Sequence, residues 1–238
     1  MLIHAGLTLV KAHARNDEKW ADCYSVFSHV KRCSLEDIHT DVDFILVAVT
    51  DHQIVEVANQ IHPSAVIVHP SGATDVSGII QENYGVIWGI YSFVKNQEVD
   101  YTKIPFCIEG SNAHTHQIIE NVMKNVSAMV YTTRLSQRQQ AHVAAVFSNN
   151  FITLLLQESF DLLQAADLPT HLIQPTLMQL ISGVQHQAPD ALQTGPAKRG
   201  DHATLQLHLD ILSHSPAWKS TYLHLSNVLL KKYGHREL

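Results

Sequence analysis

Apolar residues in the first half of the chain fall into short runs, and between the runs they return at helical spacing. Five runs read as strands: FILVAV (44–49), AVIVH (65–69), VIWGIY (86–91), PFCIE (105–109) and AMVYTT (128–133). FILVAV is apolar throughout, as a central parallel strand must be when helices cover both of its faces. Residues 51–60 carry IVEVA and residues 112–125 carry IIENVM behind the capping candidates Ser111 and Asn112, so both segments are expected to be crossover helices. Nearer the start, TLVKAHA (8–14) reads as a further strand, and HAG (4–6) as the end of a helix closed by Gly6. A dinucleotide-binding fold opens with a strand, a glycine-rich turn and a helix. Here the chain begins where that helix ends, so the first strand and most of the first helix are expected to be missing from the sequence.

Beyond Thr133 the pattern changes. Residues 135–167 contain neither Gly nor Pro and are apolar on nearly all sides, which predicts a long, largely buried helix. Helices are also expected over 174–187, 201–213 and 217–233, with Gly234 as the last stop. The fold class is therefore α/β followed by all-α. A Rossmann-type parallel sheet occupies residues 1–133 and a helical domain residues 134–238.

Composition narrows the function classes. A formal charge of -6 and a pI near 6.3 argue against a basic nucleic-acid surface, so an anionic ligand needs local positive charge. No apolar run approaches the ~20 residues that span a bilayer, and the N-terminus lacks the order of a signal peptide. Cys23, Cys33 and Cys107 form an odd set without CxxC spacing, which suits reduced packing thiols and a cytoplasmic protein. Histidine is abundant at 17 residues, but His114 and His116 have no third ligand nearby in sequence, and no metal site is expected.

In open parallel sheets ligands sit beyond the carboxyl ends of strands, which directs attention to Arg15 and Asn16, to Thr50 and Asp51, and to His69-Pro70-Ser71-Gly72. An arginine after the second Rossmann strand suits the 2'-phosphate of NADP; beside Asp17 and Glu18, Arg15 also reads as an ordinary loop residue. HPSG joins a rigid turn to two hydrogen-bonding side chains, and Ser71 reads equally well as a helix cap. On the long helix, Arg138, His142, Asn149 and Thr153 recur at offsets of 4, 7 and 4, a polar stripe that needs partners. In QTGPAKRGD, backbone N–H groups after Gly195 with Lys198 and Arg199 suit a carboxylate or phosphate, or else form a capped loop with solvated charges.

Taken in order, AVTDHQI, VHPSG, IWGIYSF, IEG, HVAAVFSNNF, QTGPAKRGD and LHLDIL resemble the Rossmann-like bacterial proteins whose C-terminal half is a helical domain of unknown function. These are distant relatives of pyrroline-5-carboxylate and ketopantoate reductases. The resemblance runs from about Gly6 to Tyr233 and implies an NAD(P)-binding domain followed by a helical domain that closes over the nicotinamide and supports a homodimer. It places Thr50, Asp51, His69 and Ser71 on the cofactor side, and His142, Asn150, Thr194 and Arg199 in the helical-domain pattern. Thr153 stands where that pattern often has asparagine. One departure is larger: none of the ten glycines makes a GxGxxG turn. The expected activity is NADP-dependent hydride transfer to a C=O or C=N of a small carboxylated substrate. Ser71, His142 and Asn150 are the catalytic candidates, and Thr194, Gly195 and Arg199 bind the substrate. Weak or absent NADP binding is expected for want of the glycine turn, and the alternative is a non-catalytic ligand-binding or dimeric interaction protein.

Overall fold

The computed structural model describes residues 2–62, 65–94 and 97–238. A 3-10 turn (Leu2–Ala5) ends at Gly6, whose φ of +82° is the left-handed stop expected of HAG. The chain then runs through β1 (Lys11–Ala12), α1 (Asp17–Val26), β2 (Lys31–Arg32), β3 (Phe44–Leu46), α2 (Ile54–Gln60), β4 (Val66–His69), β5 (Tyr84–Gly89), β6 (Phe106–Gly110), α3 (Ala113–Lys124) and β7 (Val130–Thr132). Asn112 caps α3 by accepting the Thr115 N–H at 2.9 Å, as its position before IIENVM predicts. Helix α1 and strand β2 have no counterpart in the hydrophobic pattern. The helix has no buried residue and the strand has two cationic ones, so neither presents an apolar stripe.

The sheet is mostly parallel, with one exception. Strands β3-β4-β5-β6-β7 lie side by side in that order, and β1 pairs with β2 in a separate two-stranded sheet. All pairs are parallel except β5 with β6. Among its described residues the link between those two strands contains a 3-10 turn (Tyr101–Lys103) and no crossover helix, and β6 returns antiparallel to β5. A second correction concerns FILVAV. It supplies β3 at the edge of the five strands, with Leu46 39% exposed, whereas β4 is buried at all four positions and β5 is central.

The register assigns the faces. Val66, Val68, Ile87, Phe106 and Ile108 point toward Ile119 and Met123 of α3. On the other face Ile45, Val47 and Ile67 meet Ala58 of α2, while Val86, Trp88 and Cys107 meet Ala141. Ala141 belongs to α4 (Leu135–Ala145), which continues through a π-helical turn (Val146–Asn150) into α5 (Phe151–Ala165), so the predicted long helix is present as one rod. It is not largely buried. Arg138 is the buried residue of α4, and α5 has none. Leu168 N–H closes the rod onto Leu163 at 2.8 Å, with Asp167 at φ +55°.

The last strand, β7, ends at Thr132, and the compact units are Met1–Leu155 and Leu156–Leu238. The first turns of the rod side with the sheet. In the second unit α6 (Gln174–Gly183), α7 (Pro189–Leu192), α8 (Pro196–Arg199), α9 (His202–Ile211) and α10 (Pro216–Lys232) follow in order. Ala197, Leu205 and Leu230 form its buried cluster with Tyr222 and Leu229 against them. Among the described residues no helix is long and apolar enough to cross a membrane.

Gly85 sits where β5 meets β6, and a Cβ there would stand 2.3 Å from the Glu109 carbonyl oxygen and 2.3 Å from Ile119 Cδ1. Neither neighbour is free to retreat, since one is ladder backbone and the other a core side chain. Gly85→Ala is expected to lower unfolding stability by about 1 to 3 kcal/mol, the usual cost of overpacking. Urea unfolding measures it, and an unchanged midpoint would contradict the close approach.

Candidate functional site

The carboxyl ends of β3 and β4 are joined by a hydrogen-bond network. Ser71 Oγ donates to Asp51 Oδ2 at 2.9 Å and accepts from Thr74 Oγ1 at 2.8 Å, Thr74 N–H at 3.1 Å and Ala73 N–H at 3.3 Å. Its single proton is committed and its lone pairs are used. Ser71 therefore holds the turn, and the structure gives no support to a nucleophilic or acid role for it. Gly72 lies flat on Trp88: a Cβ would meet the indole at 2.5 Å. Glycine is what allows this approach.

His69 is buried beneath that turn. Ser71 N–H donates to its Nδ1 at 3.1 Å, which leaves the ring proton on Nε2. Burial first and the Arg138 charge second push its pKa down to about 4, against a smaller upward pull from Asp51. His69 is thus a neutral interior histidine. The resemblance places it on the cofactor side; in this fold its ring is buried.

Arg138 is fully buried and donates through Nη1 to Glu109 Oε2. The register aligns His69 with Val86 and Val86 with Glu109, so one row of the sheet carries His69 and Glu109 on the face that α4 covers. Four residues along the helix, His142 stands edge-on to Trp88, with ring centroids 5.7 Å apart. Asn149 donates to Ser92 Oγ. Three members of the predicted polar stripe thereby find partners on the sheet unit, while Thr153 turns back to donate to Asn149 O at 2.9 Å. The π turn explains this. It adds a residue to one turn and breaks the phase that would have aligned Thr153 with the others. Asn150 ends the π turn in an exposed position.

The remaining expected residues are dispersed. Arg15 is exposed after β1, and Asn16 is used as the cap of α1, accepting the Lys19 N–H at 2.9 Å. Thr50 is exposed and donates to Gln53 Oε1 at 2.9 Å. In the second unit Gly195 takes a φ of +100°, Thr194 and Arg199 are exposed, and Pro196 opens the four-residue α8 without an N–H. Lys198 is withdrawn from the expected anion site: it donates to Gln193 O at 2.8 Å and lies 5.3 Å from the centroid of the Tyr233 ring. A short helix opened by proline, with one of its two cations spent internally, leaves Arg199 as the other cation of that loop, near the Asp201 carboxylate. Among the described residues no three His, Cys, Asp or Glu side chains converge as a metal would require.

Glu109 and Trp88 were absent from the expected site. Glu109 was legible as a lone carboxylate in an apolar strand, which must have a cationic partner or reach water. Arg138 was that partner, seen only as part of a stripe. Trp88 gave no signal beyond its strand.

Residues 104–228 match the family described as Domain of unknown function (DUF2520). The chain belongs to this family. The DUF2520 match begins just before β6 and so takes in Glu109, Arg138, His142 and the loop that carries Arg199. No curated protein matches the chain in sequence. Among solved structures, a candidate NADP oxidoreductase from Bacteroides fragilis is 25% identical, covers 97% of this chain and 92% of its own, and superposes with a TM-score of 0.86. An imine reductase from Myxococcus stipitatus in complex with NADP+ is 14% identical over 99% and 90% of the two chains, with a TM-score of 0.67. The 1-pyrroline-5-carboxylate reductase of Streptococcus pyogenes is 12% identical over 98% and 92%, with a TM-score of 0.63. This DUF2520 chain therefore has the reductase-type fold, a Rossmann-like sheet followed by helices.

His69 provides a pH test of the buried row. Its folded pKa of about 4 lies below the ordinary ~6.5, so as pH falls the unfolded chain takes up the proton first. Stability is expected to drop by up to about 3 kcal/mol between pH ~6.5 and pH ~4 through this group. Urea unfolding of wild type and His69→Gln across that range should show a flatter profile for the variant. Parallel profiles would mean that His69 is protonated or exposed in the fold.

Proposed function

We propose that the protein is an NADP-dependent oxidoreductase that delivers hydride to a C=O or C=N bond of a small carboxylated molecule. The observation that carries this reading is the double use of Trp88. The HPSG turn lies against the indole through Gly72, and His142 stands edge-on to the same ring. A strand-end turn and a side chain able to carry a proton thus meet at the carboxyl end of the sheet, where open α/β folds take ligands. The reading is further supported by the solved structures of similar fold, which are described as an NADP oxidoreductase, an imine reductase with NADP+ and a pyrroline-5-carboxylate reductase.

The residues fit such a cofactor at two places and not at a third. Exposed Arg15 suits a 2'-phosphate, and Thr50 and Asp51 offer a hydroxyl and a carboxylate at the end of β3. The glycine turn that brings backbone N–H groups to a pyrophosphate is not among the ten glycines of this sequence. Bound, the cofactor supplies the hydride. His142, oriented by Trp88, donates the proton to the acceptor atom, and Asn150 hydrogen-bonds it. Ser71 keeps the turn and Asp51 in place. In the second unit, Arg199 with Thr194 and the Gly195 backbone offers a place for a carboxylate. The three free thiols suit a reducing cytoplasm.

One observation favours a second reading, a non-catalytic ligand-binding or dimeric protein: none of the ten glycines of this sequence makes a GxGxxG turn. A homodimer is proposed under either reading, because Val143 and Phe147 are 58% and 64% exposed along the rod and need cover.

Titration of NADPH and NADH into the protein, followed by reductase assays on cyclic imino acids and 2-keto acids, tests the proposal. NADPH is expected to bind weakly but better than NADH, and Arg15→Ala should erase a preference of about tenfold, or about 1.4 kcal/mol. His142→Ala should lower kcat by about 100-fold or more with little change in KM, the range for a positioned general acid. Absence of any nicotinamide nucleotide binding would sink the oxidoreductase reading and leave the second.

A further inference from the structure

A cavity of about 420 Å³ lies at the carboxyl end of β5, inside the first unit, with Pro70, Trp88, Tyr91, Phe93, Tyr101 and Phe106 in its wall. We propose that it binds an uncharged planar ring, so that molecules acted on by this protein carry an aromatic or conjugated ring beside the reacting carbonyl or imine. The second half of that statement rests on the oxidoreductase reading; the ring site does not.

Size comes first. A volume of this order is typical of small-ligand sites, and it is too small for a peptide helix, which is about 10 to 12 Å across with its side chains. Chemistry is the next constraint. Among the described residues the lining contains no Asp, Glu, Lys, Arg or His, so a carboxylate or ammonium seated on them would gain no partner in exchange for the hydration it gives up. Its aromatic side chains also form one connected wall. Tyr91 and Phe93 have ring centroids 5.2 Å apart at 59°, and Phe93 and Tyr101 6.4 Å apart at 29°. Rings arranged in this way gain more from another ring, offset or edge-on, than from an aliphatic body of equal size.

Two further features mark a site and not a remnant of packing. Phe93 is 54% and Tyr91 42% exposed, so part of this wall faces water in a place where burial would be favourable. The depth of the cavity is also set by backbone: at Gly89 a Cβ would come within 2.8 Å of the Phe106 ring, and a larger residue would press on the floor. Pro70 and Trp88 belong both to this cavity and to the HPSG–His142 platform. A ring seated here holds its substituent next to that platform, which is where the acceptor atom has to be.

The test uses the full chain without nucleotide. Acetophenone, cyclohexyl methyl ketone and benzoate are titrated and followed by chemical-shift changes at Trp88 and Gly89. Acetophenone is expected to bind at least about fivefold more tightly than either of the others, about 1 kcal/mol. Phe93→Ala, at an exposed position, should weaken it about fivefold without moving the melting temperature. Tyr131→Ala, an exposed aromatic of β7 outside the cavity, should leave it unchanged. Equal affinity for the three ligands, or for wild type and Phe93→Ala, or no saturable shift up to about 10 mM, overturns the proposal. Reductase activity is scored separately. Ring binding without nucleotide binding would retain the site and remove the oxidoreductase reading, and nucleotide turnover without ring binding would do the reverse.

Discussion

A guanidinium with no exposure to water fixes α4 against the sheet of the first unit. Arg138 reaches the sheet through the Glu109 carboxylate, and removal of Glu109 would strand a buried guanidinium, whereas Glu109 itself, 31% exposed, keeps contact with water. The pair adds little net stability over a well-packed apolar contact of the same size, because both ions lose hydration in making it. Its value is in position. An apolar α4 would slide along Val86, Trp88 and Cys107 at small cost, whereas one charged bond at a fixed row admits one register. His142 stands against Trp88 only in that register.

The same pair sets the character of its neighbours. The Arg138 charge, after burial itself, keeps His69 unprotonated, and the ring then accepts the Ser71 N–H. Burial pushes the Cys107 thiol up, so it behaves as a small apolar residue in the same layer. From Arg138 outward the structure passes from a buried guanidinium to a neutral histidine, then to the saturated Ser71 hydroxyl, and finally to the exposed Asp51. Each step is nearer to water and freer to interact. The groups available to a ligand are therefore those at the rim: Asp51, Thr50, His142 and the aromatic wall beyond Pro70.

How much of this was legible in the sequence depended on period and polarity. AVIVH, PFCIE and the IIENVM stripe gave strands and a helix at nearly the observed limits because each has one face or two faces buried, and burial is what an apolar pattern reports. Helix α1 was silent for the same reason. The direction of β6 was hidden because strand patterns carry no direction; only the length and composition of the link from 90 to 105 bear on it. The position of β3 at an edge was hidden too, since pairing partners are not encoded in one strand's hydrophobicity. At the site, Ser71 and Asp51 were found by their place after strands, and their contact across 20 residues was not. The Arg138–Glu109 pair spans 29 residues and was missed because each member was weighed alone.

The misjudged rod is the most instructive case. Apolar residues on nearly all sides predict burial within the chain, yet Val143, Phe147 and Leu154 are exposed. Composition cannot distinguish a helix covered by its own chain from one covered by another molecule, because both exclude water from the same side chains. The π turn adds a physical marker that composition lacks. It sits between His142, which is held by Trp88, and α5, which has no buried residue. One extra residue in a turn rotates everything beyond it by roughly 100°, at the cost of weaker hydrogen bonding over that turn. The first part of the rod can then obey the sheet, through Arg138 and His142, while the second part presents a different face. A straight α-helix would have tied the two orientations together and brought Thr153 into the stripe that Asn149 now ends.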